Sequence, residues 1–191
     1  MKQRRRLVAT LVASLALTAA WAVAQERKEA GGQHEADQPG AVHKQMARWA
    51  GEYTTSSKFF AKPGQPSAAT TGTATIRSIL DERFLSEENA GTMLGQPYTG
   101  MHLYGYNNAT GKYEATWIYT GSTATMTLTG TSKDDGRTIE YTASIDQKGT
   151  KMTLYVVLKH VDDDKFTVEL YAKNKDGSKG PTLETTYTRK K

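Results

Sequence analysis

From residue 51 onward the chain alternates. Phe166, Val168, Leu170 and Ala172 share one side of an extended backbone, with Thr167, Glu169, Tyr171 and Lys173 on the other. Met152, Leu154, Val156 and Leu158 repeat the pattern, as do Tyr113, Ala115, Trp117 and Tyr119. A period of two marks half-buried strands, and it predicts ten of them: 52–60, 69–80, 84–93, 98–106, 112–120, 124–132, 137–146, 151–161, 165–173 and 182–189. The breaks carry turn chemistry, among them Gly95-Gln96-Pro97, the NNATG run at 107–111, Asp134-Asp135-Gly136, Asp162-Asp163-Asp164 and the NKDG run at 174–177. Connections this short leave no room for crossover helices, so the strands run antiparallel. The expected fold is all-β: an up-and-down, lipocalin-like barrel of about 8–10 strands, which closes its own edges and can hold one small ligand.

A short helix comes first. Val42, Met46, Trp49 and Ala50 recur at three- and four-residue intervals, giving one apolar stripe, and Gly51 stands where the helix would stop. Residues 25–40 (QERKEAGGQHEADQPG) lack large apolar groups and read as a flexible linker. His34, Glu35 and Asp37 within it read as solvated charges, not a metal site. Before it, Lys2, Arg4, Arg5 and Arg6 lead into an apolar run from Leu7 to Ala20, then the small residues Ala22-Val23-Ala24. That layout is a secretory signal peptide over 1–24. Its apolar run of about 14 residues is too short to span a bilayer core of about 30 Å. General secretion to the periplasm or medium is favoured over the twin-arginine route, with the barrel domain over 41–191 and no integral membrane segment once the signal is cleaved.

Charge then means less than it first suggests. The 191-residue chain has 25 Lys+Arg against 20 Asp+Glu, a formal +5, but four of those charges are Lys2, Arg4, Arg5 and Arg6. Without them the balance is +1, and no basic stripe remains for nucleic acid. The absence of cysteine excludes a disulfide framework, a thiolate metal site and a cysteine nucleophile.

Reactive motifs are scarce. Residues 105–112 (GYNNATGK) resemble a phosphate loop, but the glycine spacing is one residue too long and Tyr113 stands where a magnesium-binding hydroxyl belongs. No metalloprotease, nucleophile-elbow or Ser-x-x-Lys pattern occurs. What remains are strand positions. His102 shares a face with Tyr104 and Tyr106, and either His102 or His160 could ligate haem iron, although a hydrogen-bonded structural histidine is the simpler reading. Glu87-Glu88 lie mid-strand, so one of them points inward; Glu88 is the candidate, with Arg77 to neutralise it, against the plainer reading of two solvent-facing charges. Ten tyrosines against four phenylalanines suit a wall that both packs and hydrogen-bonds, with Tyr104, Trp117 and Tyr119 on central strands. No cofactor is required by these residues.

Several runs resemble a known bacterial family. Ile79-Leu80-Asp81-Glu82-Arg83-Phe84-Leu85, then residues 91–100 (GTMLGQPYTG), Gly105-Tyr106-Asn107-Asn108, Lys112-Tyr113 and Trp117-Ile118 follow in order, with Trp49-Ala50-Gly51-Glu52-Tyr53 upstream. Together they resemble the family catalogued as domain of unknown function 1579 over about residues 43–189. The resemblance implies a lipocalin-like, calycin-type barrel and supplies no activity or catalytic residue. Asp81-Glu82 replaces the family's usual Gly-Gly, and Asn107 and Tyr119 stand where Asp is common. Three functions follow as expectations. The first is a non-catalytic barrel binding a small, largely apolar molecule, with Arg77, Glu88, His102, Tyr104, Trp117 and Tyr119 as candidate site residues. The second is an enzyme using a lumen carboxylate with tyrosine or histidine. The third is an interaction module with a filled core. The expected state is a monomer or weak homodimer.

Overall fold

The computed structural model describes residues 38–191 apart from 63–64, 94, 148–149 and 174–178. The expected export signal and all but the end of the expected linker lie outside the described residues. The elements in chain order are α1 (Ala41–Ala47), β1 (Gly51–Lys62), β2 (Gln65–Ile79), β3 (Phe84–Met93), β4 (Gln96–Asn107), β5 (Lys112–Tyr119), β6 (Met126–Ser132), β7 (Thr138–Gln147), β8 (Thr150–His160), β9 (Lys165–Lys173) and β10 (Lys179–Arg189). Each strand pairs antiparallel with its sequence neighbours, and β1 pairs with β10 to close the barrel. No helix among the described residues is long and apolar enough to cross a membrane.

The strands match the alternation closely, and the largest shifts fall at prolines. β2 starts at Gln65 and β10 at Lys179, both ahead of their expected starts. Pro66 sits opposite Phe60 at a register shift, and Pro181 borders another. A bulge tolerates a residue without an N–H to donate, so these prolines interrupt the ladder without ending the strand. At 107–111 the expected turn forms: Asn107 Oδ1 accepts N–H bonds from Ala109 (3.0 Å) and Thr110 (3.2 Å), and Gly111 takes φ 63°. Asp81 (φ 53°) and Glu82 (φ 64°) occupy the left-handed region, as does Leu80 (φ 53°). Glycine enters that region freely, so Leu80, Asp81 and Glu82 carry strain of about 1 kcal/mol each.

Inside, the strands present one continuous core, including Tyr53, Ile76, Leu85, Tyr104, Tyr113, Ile139, Tyr141, Leu158, Phe166 and Tyr187. The helix covers one end, burying Met46, with Trp49 buried just beyond it. α1 ends at Ala47, so Trp49 and Ala50 of the expected stripe sit in a tight turn. The buried face also includes His43. Its Nδ1 accepts from the Gly40 N–H (3.1 Å), which leaves Nε2 to donate to the Tyr106 carbonyl (3.0 Å). Both ring nitrogens are thereby used in fixing the helix on the barrel.

Glycine matters most where β2 crosses β3. A Cβ on Gly72 would lie well inside contact distance of the Ala90 carbonyl oxygen, with Gly91 directly opposite. Backbone cannot yield as a side chain can, so Gly72→Ala is expected to cost about 2 kcal/mol. Urea unfolding checks this; a loss under 0.5 kcal/mol would refute the close approach.

Candidate functional site

The register brings Ile76, Glu87, His102, Trp117 and Met126 into one row across β2–β6. The next row, farther from the helix, holds Asn89, Gly100 and Tyr119. Glu87 is the inward carboxylate, and it is fully buried. Asn89 Nδ2 donates to its Oε1 at 2.8 Å, the Tyr187 hydroxyl to the same atom at 3.0 Å, and the Tyr104 hydroxyl to Oε2 at 2.8 Å. His102 Nδ1 lies 3.5 Å from Oε1. Burial pushes the Glu87 carboxyl up, but the charge of His102 and hydrogen bonds from His102, Asn89 and Tyr104 outweigh it and hold the pKa down at about 2. The reverse holds for its partners: burial first, then the carboxylate charge, lifts Tyr104 and Tyr187 well above the ordinary phenol range. Glu87 therefore stays ionised at neutral pH, and these phenols stay protonated.

Four expected site residues come together. Tyr104, His102, Trp117 and Tyr119 form a ladder of near-parallel rings on the inner face of β4 and β5, with centroids 5.5, 5.4 and 4.6 Å apart in that order. Arg77 and Glu88 do not join them. They face outward, more than half exposed, and pair with each other at 3.5 Å. The reason is strand parity: Leu85 points into the core, so Glu87 and Asn89 follow it inward and Glu88 is turned out.

Sequence reasoning missed Glu87, Asn89 and Tyr187 as a group, and also Tyr98, whose hydroxyl stands above Gly100 beside Asn89 Oδ1. Burial raises the Tyr98 phenol to about 12, a rise that the neighbouring Trp117 and Asn89 partly offset. A cavity of about 60 Å³ at this level is lined by Thr55, Ser57, Asn89, Tyr98, Trp117 and Thr185 among others.

His160 lies at the other end of the barrel. Its ring is covered by Trp49 (4.3 Å) and Phe166 (5.5 Å), and burial lowers its pKa to about 4. It borders a groove of about 610 Å³ with Arg48, Arg137 and Asp162–Asp164. His102 and His160 thus belong to opposite ends and cannot share one ligand. No group of three metal-ligating side chains occurs among the described residues.

Closed, antiparallel, capped by a helix at one end and lined with polar and aromatic groups toward the other, the molecule is an up-and-down β-barrel with an internal polar cluster. The family described as protein of unknown function (DUF1579) matches residues 38–189, and the chain belongs to it. The crystal structure of Rv2717c from M. tuberculosis is similar at TM-score 0.57 and 12% identity, over 81% of this chain and 100% of that one. A redesigned β-barrel, b11L5F_LGL, gives TM-score 0.39 and 15% identity over 75% and 93%. At such identity the first likeness speaks for the fold alone. No curated protein matches the sequence.

Proposed function

We propose that this is an exported, non-catalytic barrel that takes a small, largely apolar ligand through the end away from the helix. One observation carries the reading. Along β1 and β5 the inward side chains pass from buried to solvent-reached: Tyr113 and Ala115 lead to Trp117 and Tyr119, and Tyr53 leads to Thr55, Ser57 and Phe59. Met126, Ile145, Val168 and Leu170, only partly buried, supply an apolar wall there. Affinity would come from covering that wall, at about 25 cal/mol per Å². The cavity of about 60 Å³ suits a polar head while the tail lies in the mouth. Haem or a wholly swallowed fatty acid needs more room.

Against catalysis stands the state of Glu87. Both oxygens accept hydrogen bonds and the group titrates near 2, far from the operating range of a general base at neutral pH. The interaction module keeps one supporting feature, the exposed Met101, Leu103 and Ile118 on the outer face of β4 and β5.

The test is native mass spectrometry of the chain after export, beside a visible absorption scan. Extra mass lost on denaturation is the expected result. A haem band would move the site to His102 or His160. A bare mass, unchanged after incubation with fatty amphiphiles and haem, would favour the interaction module instead.

A further inference from the structure

Two buried polar atoms in the half of the barrel away from the helix have no hydrogen-bond partner among the described residues: Asn89 Oδ1 and Trp117 Nε1. Their directions are fixed. A carboxylate accepts only, so the Asn89 amide must turn its nitrogen to Glu87, and its oxygen faces away. Trp117 is held between the rings of His102 and Tyr119, at interplanar angles of 20° and 19°, which sets where its N–H points. Both residues line the 60 Å³ cavity. The Tyr98 hydroxyl is near enough to Trp117 and Asn89 to interact with both, yet neither Asn89 Oδ1 nor Trp117 Nε1 reaches hydrogen-bond geometry with it. Ser57 and Thr185 on the facing wall are already paired with each other at 2.9 Å.

Gly100 makes room for the Asn89 and Tyr98 side chains. It lies opposite Asn89, and a Cβ there would stand 2.6 Å from both Asn89 Oδ1 and the Tyr98 hydroxyl oxygen. A buried donor and a buried acceptor left unmatched each cost about 1–3 kcal/mol, so a guest group that satisfies both binds strongly for its size.

Charge narrows the guest further. Glu87 brings a permanent negative charge to the floor. His102 faces this floor already set against Glu87 at 3.5 Å, and the guanidinium of Arg189, at the helix end, is engaged by the Ala50 and Arg48 carbonyls. A carboxylate head would be buried near Glu87 without a dedicated counter-ion, which is costly. An ammonium head could donate to Asn89 but would leave the Trp117 N–H unmatched.

We propose that the barrel grips an uncharged head group that both donates and accepts, a primary carboxamide or a hydroxyl on an apolar tail, between Asn89 Oδ1 and Trp117 Nε1. This assignment rests on the ligand-binding reading above and names its chemical class. Carboxylic acids of equal chain length are then discriminated against.

Calorimetric titration of the exported chain with octanamide, octan-1-ol, octanoate and octylammonium tests it. Octanamide and octan-1-ol are expected to bind at least about ten-fold more tightly than the two ions. Trp117→Phe keeps a ring in the ladder and deletes the N–H, and should weaken octanamide about ten-fold with the near-ultraviolet dichroism of the tyrosine core retained. Gly100→Ala, whose Cβ would press on Asn89 Oδ1 and the Tyr98 hydroxyl, should weaken it independently. Equal or tighter binding of octanoate or octylammonium would overturn the head-group assignment, as would a Trp117→Phe variant with unchanged affinity. Failure of all four probes also overturns it, whereas the ligand-binding reading itself falls only to a bare native mass.

Discussion

Replacing Glu87 with leucine should destabilise the barrel by about 4 kcal/mol. The carboxylate gathers three donors, from Asn89, Tyr104 and Tyr187, in a region without solvent. Removing it strands all three, and each unmatched buried donor costs about 1–3 kcal/mol. Leucine returns some apolar burial, which keeps the total below the sum. Glu87→Gln is expected to lose about 2 kcal/mol, because the amide keeps one acceptor but turns its NH₂ toward a donor. A separate signature lies in pH. The folded pKa of about 2 is below the ordinary 4.5, so the unfolded chain binds more protons between those values. The contribution of Glu87 is therefore fully present above about pH 4.5 and declines toward pH 2, by about 3 kcal/mol. His160 acts in the adjoining window: held neutral by burial, it withdraws stability as pH falls from 6.5 toward about 4. Urea unfolding of wild type and Glu87→Gln across this range separates the two groups, since only the lower window should vanish in the variant. Parallel curves below pH 4.5 would show that Glu87 is not held ionised.

Arg189→Ala should cost about 3 kcal/mol and lower the melting temperature by roughly 6–12 °C. The residue sits near the end of the last strand, yet it secures the first elements. Its Nη1 donates to the Ala50 carbonyl at 2.7 Å and Nη2 to the Arg48 carbonyl at 2.9 Å, satisfying carbonyls just past the end of α1. The guanidinium also lies 4.9 Å from the Tyr53 ring centroid and pairs with Asp164 at 3.5 Å. It fills the space where a Gly51 Cβ would stand, which gives that glycine a second role beyond stopping the helix. Arg189→Lys should recover only part of the loss, because an ammonium lacks the planar fork that reaches two carbonyls at once. Hydrogen exchange locates the effect: protection should fall first around residues 48–53. A loss below 1 kcal/mol would mean that β1–β10 pairing holds the helix end unaided.

Alternation made the strands legible because a pleated, one-side-buried backbone enforces a period of two whatever its neighbours do. Loops with Asn, Asp and Gly marked the turns for an equally local reason, visible at 107–111. Prolines misled at 66 and 181, where a bulge absorbs the missing N–H. The face of each strand was harder. Phe84 and Leu85 are both apolar, so residues 84–88 alone do not say which of Glu87 and Glu88 goes in. The answer lies on the next strand: Phe84 faces Gly105 across the outer surface and covers it, leaving Leu85 and Glu87 for the core.

The candidate site divides the same way. His102, Tyr104, Trp117 and Tyr119 could be grouped from sequence because two adjoining strands with plain alternation place them. Tyr187 reaches Glu87 across a separation of 100 residues, and no local pattern announces such a contact. By itself, then, the sequence determined the elements and the antiparallel barrel, since those rest on near-neighbour geometry and short connections. Which carboxylate lies inside, which donors surround it and how much space remains above them were decided only by tertiary structure, because closure of β1 on β10 sets the register that brings distant strands together.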